Sequence, residues 1–187
     1  MISALKSIHP ARRAILIGAY VLVVEWSRAV IQYEPHMAVA ALVLGGAALA
    51  LVATRWPAER LGLGTARLGF RILGGLALGA VLLLPAAVRS AAVPMLPAGL
   101  AMAAVAVSIG EELAFRGALY AALDELGGAP LAIIGSTALW TAAHAFSHPP
   151  AFLGAVAAAG LLLALWRWAC RDLVGPVIGH VVADIAL

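Results

Sequence analysis

The chain has 187 residues, 64% of them hydrophobic and only 11% charged, with a mean hydropathy of +1.04. Soluble domains are roughly 45–50% apolar, so the composition excludes a soluble globular domain and points to an integral membrane protein. The formal charge is +3, and the eleven Arg and one Lys lie beside apolar runs, where they read as topology signals and not as a nucleic-acid patch.

A helix crossing a bilayer needs about 20 apolar residues. Seven candidates are predicted, at 13–33, 37–54, 69–88, 98–123, 130–147, 151–170 and 173–187, the last short for a full crossing. In the first, Lys6, Arg12 and Arg13 lead into an apolar run at 14–24, as in a signal peptide, but Glu25, Trp26 and Arg28 follow that run with no small-residue cleavage site. It therefore reads as an uncleaved span and not as a signal peptide. The joint at 55–68 carries Arg55, Arg60 and Arg67 and suits a short interfacial helix. Runs such as "LGGAALALVA" and "GAVAAAG" suit close helix packing through small residues. The single Cys170 excludes an intrachain disulfide.

Helices are the default because an open strand edge does not survive in lipid. The expected fold is all-α: one polytopic membrane bundle over 1–187, with about six to seven transmembrane helices around a polar intramembrane cavity. With the N-terminus inside, Lys6, Arg12, Arg13, Arg55, Arg60, Arg67, Arg71, Arg167 and Arg171 fall on the cytoplasmic side and Arg89 outside. The positive-inside rule therefore predicts a cytoplasmic N-terminus. The Arg-rich, Lys-poor, Ala-rich composition fits a GC-rich bacterial genome, so the expected membrane is a bacterial inner membrane.

The segment 98–123 contains "SIGEELAFRGALY", with Glu111, Glu112 and Arg116 inside an apolar run. A charge at a helix centre costs about 2.5–3.5 kcal/mol on insertion scales, so these groups face a polar interior, pair with one another, or sit at the interface. Glu112 and Arg116 are four apart and stack on one helix face, while Glu111 points about 100° away. One neutralised pair and one spare carboxylate result. The spare one suits a general base; an interfacial ion pair is the plainer alternative.

Three of the five histidines also lie in or beside apolar runs. In "WTAAHAFSHPP", His144 follows Trp140 by one turn and precedes His148 by another; in "GHVVAD", His180 and Asp184 share a face. Each alone reads equally as a hydrogen-bonded structural group. Their coincidence on three apolar helices marks a functional site, since one shared cavity lowers the burial cost of all.

"EELAFRG", "WTAAH" and "HVVAD", in this order, resemble the motifs of the CPBP family, the CAAX-protease and bacteriocin-processing glutamic intramembrane proteases. The likeness covers residues 98–187 as a catalytic core. It implies an all-helical bundle that cleaves a membrane-associated peptide or protein without an essential metal or other cofactor. It implies that Glu111 activates water, Glu112 pairs with Arg116 in support, His144 positions the water and shuttles a proton, and His180 and Asp184 polarise the scissile carbonyl. Two positions depart from the family pattern: Trp140 stands where Phe is commoner, a mild change, and Asp184 where Asn is frequent. An ionised Asp donates no hydrogen bond, so Asp184 is expected to orient His180.

Two rival readings follow from the same residues. His144, His148, His180, Asp184 and Glu111 offer donors for a zinc site, although the chain lacks HExxH. A non-catalytic immunity factor that binds a bacteriocin or its receptor is the other. A proton-coupled transporter lacks the expected paired broken helices, and Ser108 lacks both a GxSxG setting and a convincing local partner for serine catalysis.

Overall fold

A computed structural model describes residues 9–31, 37–89 and 96–186. Lys6 and His36 lie outside them. All regular structure among the described residues is helical. The elements are α1 (Pro10–Ile31), α2 (Ala38–Ala50) with a 3₁₀ extension Leu51–Arg55, the one-turn α3 (Ala58–Leu61) and α4 (Leu68–Arg89). Then come α5 (Ala98–Glu111), a π-helix Glu112–Leu119, α6 (Tyr120–Ala143), α7 (Leu153–Cys170) and α8 (Val174–Ala186). The 55–68 joint, where a short helix is expected, holds α3, a single turn.

Five stretches are long and apolar enough to cross a membrane: Pro10–Ile31, Ala38–Arg55, Leu68–Pro85, Ala98–Phe146 and Pro150–Cys170. The fourth, of 49 residues, is not straight. Gly127 and Gly128 leave helical φ/ψ, with Gly128 at φ 72°, and Pro130 follows within the helix. Pro cannot continue the hydrogen-bond ladder and only Gly takes positive φ freely, so "GGAP" bends the chain between the two runs expected at 98–123 and 130–147. The helix α8 is apolar but shorter. The described residues thus hold five crossing-length stretches, the fourth made of two helices joined at the kink, and a short apolar helix.

The exterior fits a lipid solvent. Leu44, Leu73, Met102 and Ile134 are each about two-thirds exposed or more, and a water-facing surface this apolar would aggregate. Inside, α4 packs along α8, α2 against α5, and α6 against α7 and α1. The α2–α5 contact is a backbone contact. A Cβ at Gly110 would fall 2.2 Å from the Gly46 carbonyl oxygen, and one at Gly46 would fall 2.4 Å from that of Ala106. Glycine at both positions sets the depth of the residue that follows, Glu111.

Arg13, Arg60, Arg71 and Arg167 gather at one end of the bundle. Arg13 and Arg60 both pair with Glu125, the latter at 2.7 Å, and the Arg13 guanidinium lies over Trp56. Arg167 donates to the carbonyls of Arg60 and Arg116. Arg71 sits 3.6 Å from Asp172, whose carboxylate accepts the Val174 and Gly175 N–H groups at the start of α8.

Candidate active site

The polar groups at the other end converge from four elements. Along α5 the helix is regular to Glu111, and Glu112–Leu119 then widens into a π-helix, a distortion found mostly at functional sites. Glu111 is 3% exposed, and Glu112 and Arg116 are wholly buried. Arg116 Nη1 donates to Glu112 Oε1 at 3.0 Å, the expected i,i+4 pair. The Arg116 guanidinium also lies 4.2 Å from the Trp140 ring centroid, a cation–π contact that helps hold a buried charge.

Glu111 is not a spare carboxylate. Trp140 Nε1–H donates to its Oε2 at 2.7 Å, and Arg28 Nη2–H donates to its Oε1 at 3.2 Å. Arg28 pairs in turn with Glu25, one turn earlier on α1. All of these groups are buried. No spacing in the sequence pairs Arg28 with Glu111, 83 residues further on. Trp140 in place of Phe is therefore more than a mild change, because a phenyl ring has no N–H to donate.

His144 lies at the end of α6, with its Nε2 3.7 Å from Glu111 Oε2. Its Nδ1–H donates to the Trp140 carbonyl at 2.8 Å; a carbonyl only accepts, so this bond fixes the tautomer and turns Nε2 toward the carboxylate. The ring stands edge-on to Trp140 and beside His148. His148 stacks on Phe152, its Nδ1 meeting the Ser147 hydroxyl at 3.0 Å. It sits between two crossing-length stretches, where burial first and His144 second push its pKa below the ordinary histidine value.

His180, on α8, reaches Glu112 Oε1 through Nδ1 at 2.9 Å and Asp184 Oδ2 through Nε2 at 3.4 Å. The nearer partner is Glu112, not the Asp184 that the spacing suggested. Asp184 also meets Ser108: the hydroxyl is 2.7 Å from Asp184 Oδ2 and 2.7 Å from the Ala104 carbonyl. Ser108 thus belongs to the network through a residue 76 positions away, which the sequence alone could not pair with it.

All three motif segments therefore meet, with Trp140 between the His144 and His180 rings. Among the described residues no group of three or more His, Cys, Asp and Glu is arranged to hold a metal ion. Two hollows, of about 460 and 680 Å³, lie near Arg13 and Trp56 and near Arg60 and Arg167; neither reaches Glu111. His9, exposed, accepts the Ala11 N–H and takes no part in the site.

A multi-pass helical bundle with a buried Glu/His/Arg network ordered in this way is the framework of an intramembrane protease. The family model "Type II CAAX prenyl endopeptidase Rce1-like" matches residues 93–186, just over half of the 187, and the chain belongs to that family. No curated protein and no solved structure matches it.

Proposed function

We propose that the protein is a glutamic-type intramembrane endopeptidase that hydrolyses a peptide bond in a membrane-associated peptide or protein. The observation that carries this reading is the meeting of Glu111 with His144 at 3.7 Å, with His180 joined to the adjoining Glu112. In the proposed step, Glu111 takes a proton from a water and the hydroxide attacks the scissile carbonyl carbon. His144, its Nδ1–H held by the Trp140 carbonyl, orients that water with its bare Nε2, takes over the proton that Glu111 removed and passes it to the leaving amine. The His180 ring donates to the developing oxyanion, and Asp184 orients it. Glu112 and Arg116 hold the frame. Amide hydrolysis needs these functions: an activated water, charge stabilisation on oxygen and a proton for the amine.

Residues 98–187 form the proposed catalytic core of a single membrane domain. The arginine-lined end is assigned to the cytoplasm of a bacterial inner membrane, which places the Glu/His cluster toward the opposite face. Substrate then approaches past His148 and Asp184, the latter with about a third of its side chain exposed.

Glu111→Gln keeps the shape and removes the base. Membrane proteomes of cells carrying wild-type or Glu111→Gln protein test the reading. An uncleaved membrane protein accumulating only with the variant supports it, with turnover down about a hundredfold to ten-thousandfold, the usual range for removing a general base. A variant that processes every membrane protein as the wild type does overturns it.

A further inference from the structure

We infer that Glu111 is set by a two-donor clamp, Trp140 on one carboxylate oxygen and Arg28 on the other, and that Arg28 is a positioning residue reaching the base from outside the segment that carries the family match. The inference rests on the endopeptidase reading and identifies what holds its base. Residue 28 lies on α1, whereas the family match begins at residue 93. The two donors come from different helices and engage different oxygens, at 3.2 and 2.7 Å. A single donor would leave the carboxylate free to swing about that bond; two fix its plane. Each oxygen keeps a further lone-pair direction, so the clamp does not prevent Glu111 from accepting a water.

Arg28 is itself held from two sides. Glu25 pairs with its guanidinium from the same helix. On α2, a Cβ at Gly45 would sit 2.7 Å from Arg28 Cδ and 3.2 Å from Cγ, so the arginine stem crosses α2 through space that only glycine leaves. A helix staple alone would not require the guanidinium to end on the carboxylate that also binds Trp140. A base works only when its orientation is held within about half an ångström by such supporting bonds. Other charged or titratable groups around Glu111 include Glu25 on α1, Glu112 and Arg116 just after it in the chain, His144 and His148 after α6, and His180 on α8.

Two measurements on the full-length protein in detergent micelles test the clamp. The first follows the indole N–H signals of ¹⁵N-tryptophan-labelled protein, with Trp140→Phe assigning one signal among five. The Trp140 signal is expected to move more than the other four in Glu111→Gln, and to move again in Gly45→Ala, which displaces Arg28 without removing any charge. A Trp140 signal unmoved by both variants overturns the clamp. The second uses an internally quenched farnesylated peptide ending in a CAAX sequence. Trp140→Phe and Arg28→Gln are expected to lower kcat about tenfold or more with little change in KM, as for loss of a hydrogen bond to a charged group, and Arg28→Lys to recover part of it. An active wild type with equally active Trp140→Phe and Gly45→Ala variants overturns the inference alone. A silent wild type counts against the endopeptidase reading for that peptide, and the indole spectra then decide the clamp.

Discussion

Glu112 Oε1 is shared: it accepts Arg116 Nη1 at 3.0 Å and meets His180 Nδ1 at 2.9 Å. The residue next to the proposed base therefore binds the third motif to the first. A pair that looks purely intrahelical in the sequence is the joint between α8 and the π-helix.

Glu112→Gln is expected to cost stability and activity together. The amide keeps the volume but takes from the buried Arg116 guanidinium the carboxylate bonded to it, and breaking one partner of a buried pair costs about 3–5 kcal/mol. His180 keeps only a neutral amide oxygen as its nearer anchor, a weaker acceptor than the carboxylate. Thermal unfolding in detergent should show a clear fall in melting temperature, and an unchanged melting temperature would count against the shared carboxylate.

Asp184→Asn is expected to be mild by comparison. His180 remains held at Nδ1 by Glu112, and the Asp184 contact at 3.4 Å is the longer of its two. The asparagine still accepts from Ser108 and brings a donor that an ionised aspartate lacks. Turnover of the substrate found by proteomics should stay within about tenfold of wild type, whereas His180→Ala should lose far more. Equal losses from the two would assign residue 184 a direct part in the chemistry.

Much of this site was legible because helical geometry makes four-residue spacings meaningful. Glu112–Arg116 pairs as its spacing predicts, and Trp140–His144 and His180–Asp184 both make contact as one-turn neighbours. The links between helices were not legible. Arg28 lies 83 residues from Glu111, and Ser108 lies 76 from Asp184; no periodicity connects them. Trp140 in place of the commoner Phe reads in the sequence as a mild change, yet its N–H is what touches the base. The π-helix left no signature in the hydropathy pattern. The runs expected at 98–123 and 130–147 are two helices joined at "GGAP", where Gly127 and Gly128 leave helical geometry, within one 49-residue stretch.

Gly110→Val is expected to disrupt the site from a distance of one residue without changing any polar group. Even the first side-chain carbon would fall 2.2 Å from the Gly46 carbonyl oxygen, and backbone on backbone has no rotamer to yield. Overpacking costs typically about 1–3 kcal/mol, and α5 must also withdraw from α2, taking Glu111 away from Arg28. Both the melting temperature and cleavage should fall. By contrast, a Cβ at Gly154 meets nothing within 4 Å, so Gly154→Ala should leave both unchanged.

His148 gives the pH dependence its sign. Burial, then the neighbouring His144, lower its pKa in the folded protein below the ordinary 6.5; Glu111 and Asp184 oppose this shift and Arg28 adds to it. Ser147 and Phe152 are its immediate contacts. A histidine that resists protonation when folded takes up its proton more readily when unfolded. Its contribution to stability is therefore complete above about pH 6.5 and is lost as the pH falls through the depressed folded value. His148→Gln carries no such proton. The melting temperature of the wild type should thus decline more steeply on acidification than that of the variant, with the two curves parallel above neutrality. Curves that stay parallel into the acid range would show that His148 titrates as a free surface histidine, unaffected by His144 or by its burial against Phe152.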